Sequence, residues 1–128
     1  MMIVNEQLRS VAEAQARKTL EEITGVVAMV IATTDGFDIA SAVTRDIDPV
    51  RVAALASSIS AIGSVVSQEA HLGKSRSVTI NTDAGFAFLS AVNRADVGLV
   101  VNVIANEHAI LGQVVWRCGE CVKALEAA

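Results

Sequence analysis

Several groups of residues in this chain could do chemistry by type and spacing. Cys118-Gly119-Glu120-Cys121 has the spacing of a redox pair or of half a metal site, with Trp116 just upstream. Its setting argues for a plainer role. A redox pair of this kind sits where a strand feeds the start of a helix, whereas Val114-Val115-Trp116-Arg117 continues a helical pattern already begun. Zinc needs four ligands, and one cysteine pair plus the distant His71 or His108 offers no recognised spacing; two pairs from two chains could complete such a site. The residues favour two inert helix thiols. Gly73-Lys74-Ser75 resembles the end of a phosphate-binding loop, but Gln68 stands where that loop needs glycine, and a helix precedes it instead of a strand. It reads as a basic loop. Asp35, Asp38, Asp46 and Asp48 lie close in sequence, yet local roles account for them, Asp35 in a turn and Asp48 at a helix cap. No serine occupies a nucleophile elbow, and neither histidine has a carboxylate or nucleophile partner evident in sequence. The expectation is a non-enzymatic protein with no cofactor and no metal.

Length and charge narrow the classes further. A chain of 128 residues fits one domain, residues 1–128, long enough to bury a core without disulfides or metal. Its hydrophobic fraction is 52%, but no uninterrupted apolar run approaches the ~18 residues a bilayer-spanning helix needs, so membrane insertion is not expected. The segment Met1-Met2-Ile3-Val4-Asn5-Glu6 lacks a basic region followed by an apolar stretch, which points to the cytoplasm and to reduced thiols. A net charge of −4, three Phe, one Trp and no Tyr supply neither a phosphate-attracting surface nor stacking platforms. Nucleic acid is not an expected partner.

The elements that would position any site follow from periodicity. Leu8, Val11, Ala12, Ala16, Leu20 and Ile23 recur at helical steps from about Glu6 to Ile23, with charged residues largely between them. Gly25 ends that helix, and Val26 to Ala32 reads as a strand covered on both faces. Asp35-Gly36 between two apolar runs signals a hairpin, with Phe37 to Val43 returning and a polar Thr44-Arg45-Asp46 loop after it. Asp48 caps and Pro49 opens a second helix reaching about Leu72. Three short strands follow, Ser77 to Asn81, Phe86 to Val92 and Val97 to Ile104, joined by turn-like segments, then a last helix from about Asn106 to Ala127. The expected fold is α/β (α+β), ordered α-β-β-α-β-β-β-α. Its five-stranded antiparallel sheet has the order 2-1-5-4-3, because the two most uniformly apolar strands belong in the middle. One helix lies on one face and two lie on the other.

The second helix asks for a partner. Residues 52–68 carry no charge at all. Val52, Leu55, Ile59, Ile62 and Val66 form a stripe expected to face the sheet, each worth about 1.5–3 kcal/mol when buried. That accounts for one face. A second arc, Val50, Ala54, Ser57, Ser58, Ala61 and Val65, consists of small or modest residues that let another backbone approach. A symmetric copy is the simplest cover, since a two-fold axis matches the patch with itself. The neighbouring strand, Ser77, Val78, Thr79, Ile80 and Asn81, could extend the sheet across the same axis and remove an exposed edge.

Ile23-Thr24-Gly25-Val26, Thr34-Asp35-Gly36-Phe37-Asp38-Ile39-Ala40-Ser41 and Val52-Ala53-Ala54-Leu55-Ala56, with the late Leu111-Gly112 step, resemble the dynein light-chain Roadblock family over nearly the whole chain. The resemblance implies a Roadblock/profilin-like homodimer whose second helices pair and whose third strands join. It also implies a non-enzymatic regulator or recruitment platform for a small Ras-like GTPase, acting without an arginine finger by repositioning switch loops. The compact chain is most similar to prokaryotic stand-alone members. Residues 116–121 lie outside the family pattern, so a thiol or metal sensor through Cys118 and Cys121 stands as the alternative, beside a structural subunit of a larger assembly.

Overall fold

Eight elements follow the expected alternation: α1 (Glu6–Glu22), β1 (Val26–Thr33), β2 (Asp38–Val43), α2 (Pro49–Glu69), β3 (Ser77–Thr82), β4 (Gly85–Val92), β5 (Leu99–Asn106) and α3 (Leu111–Ala127). The computed structural model describes residues 4–44 and 46–128; Arg45 of the polar loop and Met1 to Ile3 lie outside the described residues. The five strands form one sheet of order β2-β1-β5-β4-β3, antiparallel throughout.

Local chemistry sets the boundaries. Asn5 Oδ1 accepts from the Leu8 amide at 2.7 Å to start α1, and Asp48 Oδ1 accepts from the Val50 amide at 3.0 Å ahead of Pro49 in α2. Helix α2 stops at Glu69, three residues short of the expected end, because His71 and Gly73 adopt positive φ angles of 57° and 85°. The first hairpin is wider than an Asp-Gly turn. The Thr33 amide donates to the Phe37 carbonyl at 2.8 Å, Gly36 alone takes positive φ, and Phe37 belongs to the turn. Strand β5 lies two residues later than its hydrophobic run suggests. The Gly98 carbonyl is spent on the Thr34 amide at 3.0 Å, and Asn106 ends β5 in a turn in which its Oδ1 accepts from the His108 amide. Helix α3 therefore begins at Leu111, not Asn106.

Helices α1 and α3 pack together on one face, where Leu8, Ala12, Ala16, Val114, Cys118, Cys121 and Leu125 meet Met29, Ile31, Val101 and Val103. Helix α2 lies alone on the other, through Ala53 against Val30 and Ala32 and through Ala56 against Leu89 and Val100. Strands β1 and β5 are buried along almost their whole length, as central strands covered on both faces should be. The stripe expected to face the sheet is corrected here. Only Val52 and Ile59 of it are partly buried, while Leu55, Ile62 and Val66 point outward. Small residues take the inner face, letting α2 approach closely: a Cβ on Gly63 would stand 3.0 Å from Val78 Cγ2.

Candidate functional site

Burial on α2 is inverted relative to an ordinary amphipathic helix. Val50, Leu55, Ile62, Val65 and Val66 are each 58–63% exposed, while the fully buried residues are the alanines Ala53 and Ala56. Ala54, Ser58 and Ala61 share the outer side. Ser57 is half-buried, and its hydroxyl donates to the Thr34 carbonyl at 2.6 Å, so it ties α2 to the first hairpin. Of the helices, α2 has the length and hydropathy of a bilayer span, yet its inner alanines are built into the sheet layer. A continuous uncharged face this wide on a helix docked to a sheet is of the kind that marks interaction sites in general.

Strand β3 lies along one side of that helix. Ser77, Thr79, Ile80 and Asn81 are exposed; Val78 is turned under α2 and packs with Ile59 and Ala87. Among the described residues, β3 has β4 as its only neighbour in the sheet. The opposite edge is treated differently: Arg9 of α1 reaches over β2 and donates through Nη1 to the Ile39 carbonyl at 2.8 Å. Beside β3 an open hollow of about 640 Å³, lined by Ile47, Ile80, Ala87 and Ile104 among others, leaves part of the α2 side of the sheet uncovered. The hollow shares Ile80 and Thr82 with the β3 edge.

The other sequence candidates are placed elsewhere. Cys118 and Cys121 face the core between α3 and the sheet, both reduced, and burial pushes each thiol up to about 12. A thiolate that scarcely forms at neutral pH is a poor nucleophile or metal ligand. Among the described residues no group of three or more His, Cys, Asp or Glu side chains is gathered for a metal ion. The Lys74 loop follows the end of α2, and Lys74 Nζ donates to Asn93 Oδ1 at 2.9 Å. Sequence reasoning missed the arginines. Arg117 is buried in the α1–α3 seam, and Arg94, ion-paired with Asp96 at 2.8 Å, holds the end of α3 by donating to the Leu125 and Ala128 carbonyls. Arg117 carries no mark in sequence because its partners are neutral side chains distant along the chain, and the nearby Asp96 gives no sign of the Leu125 and Ala128 carbonyls that Arg94 also serves.

A lone helix on one face of a 2-1-5-4-3 sheet coincides with a family pattern: the Roadblock/LC7 domain model matches residues 14–111, more than half of the chain. The chain belongs to the Roadblock/LC7 family. This Roadblock/LC7 chain superposes on Myxococcus xanthus MglB with a TM-score of 0.82 at 17% identity, over 99% of this chain and 92% of that one. The gliding protein MglB from Thermus thermophilus gives 0.82 at 16%, over 98% and 93%. A Roadblock/LC7 domain from Streptomyces avermitilis gives 0.79 at 18%, over 88% and 92%. No curated protein sequence matches the chain. At these identities the likeness shows the Roadblock/LC7 fold alone. The matched segment ends at Leu111, so Trp116 and both cysteines fall beyond it.

Proposed function

We propose that this Roadblock/LC7 chain is a non-enzymatic, cytoplasmic homodimer that regulates or recruits a small Ras-like GTPase. The observation that carries the reading is the exposed, uncharged outer face of α2 beside the uncovered β3 edge. A second copy buries that face with no unpaired charge, and two-fold symmetry closes both edges at once. Similarity to MglB, one solved structure of which has a tetrameric arrangement, supports self-association. The GTPase rests on family membership, and its stimulation would proceed by repositioning switch loops.

The test has two arms. Ala54→Glu and Ala61→Glu place a carboxylate in the centre of the proposed interface, where an unpaired buried charge costs about 3–5 kcal/mol, so a dimer by light scattering becomes a monomer. Variants that stay dimeric refute helix pairing. Immobilised wild-type protein should retain a Ras-like GTPase in one nucleotide state and release it in the other; a GTPase retained in neither state sinks the partner assignment. The thiol-sensor alternative has less support, since both thiols are buried and protonated.

A further inference from the structure

The turn that joins α2 to β3 holds donors that the chain itself leaves unused. His71 and Gly73 take positive φ angles, 57° and 85°, on either side of Leu72. Alternation of this kind turns successive backbone amides toward one side and forms a small concavity suited to an anion. The Leu72 amide is spent on the Ser67 carbonyl at 2.8 Å, but the amides of Gly73, Lys74 and Ser75 donate to no backbone carbonyl among the described residues.

Two hollows meet at this turn and share Ser64, Lys74 and Ser75. One, of about 600 Å³, is completed by Gln68, His71 and Gly73. The other, of about 460 Å³, adds the polar Thr34 and Asn93 and an apolar wall that includes Val92 and Leu99. No carboxylate lines either one, although the chain carries a net charge of −4. Comparable hollows elsewhere do have one: Asp46 beside β3, Glu13 and Asp38 beside β2, and Glu126 on the α3 side of the same loop. Lys74 supplies the cation. Its Nζ spends one proton on Asn93 Oδ1 at 2.9 Å and keeps two, and the ion pairs among the described residues do not include it. Arg94 also lines the smaller hollow, but its guanidinium is committed to Asp96 and to the carbonyls at the end of α3. Ser75 Oγ lies close to α2, where a Cβ on Gly63 would stand 3.2 Å from it.

We propose that the Gly73–Ser75 turn binds the phosphate group of a small molecule through the Lys74 ammonium, the Ser64 and Ser75 hydroxyls and the unused backbone amides. A phosphate monoester presents three strong acceptor oxygens and nearly two negative charges, so it can use ammonium, hydroxyl and amide donors together. A carboxylate has two oxygens and one charge, and leaves part of this set idle. The smaller hollow, with Val92 and Leu99 in its wall, has room for the organic part of such a molecule. With one free cation on an exposed turn, affinity is expected on the order of 1 mM.

Amide chemical shifts of isotopically labelled protein test the site, with inorganic phosphate, glycerol phosphate and acetate added in turn at constant pH and ionic strength. Phosphate and its ester should move the Gly73, Lys74 and Ser75 resonances in a saturable way, and acetate should not. Lys74→Ala should weaken binding by at least about tenfold, the loss of one contact to a charged group, whereas Lys74→Arg and Lys123→Ala should bind as the wild type does. An otherwise unchanged spectrum shows that each variant is folded. Tighter binding of the ester assigns the hollow to an organic stem, and tighter binding of inorganic phosphate assigns the turn to the free ion; either upholds a phosphate site. Shifts absent from residues 73–75, equal for acetate, or unchanged in Lys74→Ala would overturn it.

Discussion

Arg117 Nε donates to Thr19 Oγ1 at 3.2 Å inside the α1–α3 seam, where the arginine is only 4% exposed. Its guanidinium also donates to Gln15 Oε1, and the Thr19 hydroxyl donates to the Gln15 backbone carbonyl at 2.8 Å. The ion pairs among the described residues do not include it, so neutral oxygens carry this cation. Arg117→Ala, which removes both the stem and the donors, should cost about 2–4 kcal/mol. Arg117→Met keeps most of the packing, removes the buried charge and should cost less than half of that. Urea titration of the two variants checks the order; equal losses would show that the stem contributes nothing.

Gly85 opens β4 at φ +152°, and a Cβ there would stand 2.0 Å from the Ala105 carbonyl oxygen of β5. The close approach is backbone to backbone, so no rotamer relieves it. Gly85→Ala should destabilise the fold by about 2–4 kcal/mol. Gly112→Ala is the control, since nothing lies within 4 Å of its added Cβ and a helical alanine is favoured. Thermal melts that rank the two variants the other way would contradict the geometry.

The thiols of Cys118 and Cys121 sit at about 12 in the fold because burial opposes the thiolate. Unfolded thiols ionise near their ordinary value of about 8.5. The folded pKa is the higher one, so the stabilising contribution is complete below about pH 8.5 and is lost as pH rises from there toward 12. The urea midpoint of the wild type should therefore fall more between about pH 7 and about pH 10.5 than that of a Cys118→Ala, Cys121→Ala double variant. Equal slopes would place the thiolates in water. At neutral pH a thiol reagent should label neither cysteine until the chain unfolds.

Asp48-Pro49, Gly25 and the runs Val26 to Ala32 and Val97 to Ile104 made the element order and the central strands legible, because caps, breakers and continuous apolar strands are local signals. What misled was size. Reading the largest side chains as the buried ones assigned Leu55, Ile62 and Val66 to the sheet, but α2 sits close enough to need Ala53, Ala56 and Gly63 beneath it. The absence of charge was visible in sequence; which side each residue faces depends on the separation of helix and sheet, which only tertiary packing sets. Arg117 was invisible for a related reason, since its partners Gln15 and Thr19 lie about a hundred positions away and carry no charge.

Neighbouring residues on α2 now separate folding from assembly. Ala56 is fully buried against Leu89 and Val100, and Leu55 beside it is 61% exposed. Ala56→Leu forces extra methylenes between helix and sheet and should destabilise the subunit by about 1–3 kcal/mol. Leu55→Ser removes an apolar side chain from the outer face, so the subunit's own packing loses little. If that face is covered by a second copy, the loss of a well-packed apolar anchor weakens association by about 1–3 kcal/mol, roughly a 5- to 150-fold rise in the dimer dissociation constant. Sedimentation over a concentration series reads the association and urea titration at high dilution reads the subunit. A Leu55→Ser protein with unaltered association would remove this face of α2 from the interface, and an Ala56→Leu protein of full stability would mean that helix and sheet are not in close contact.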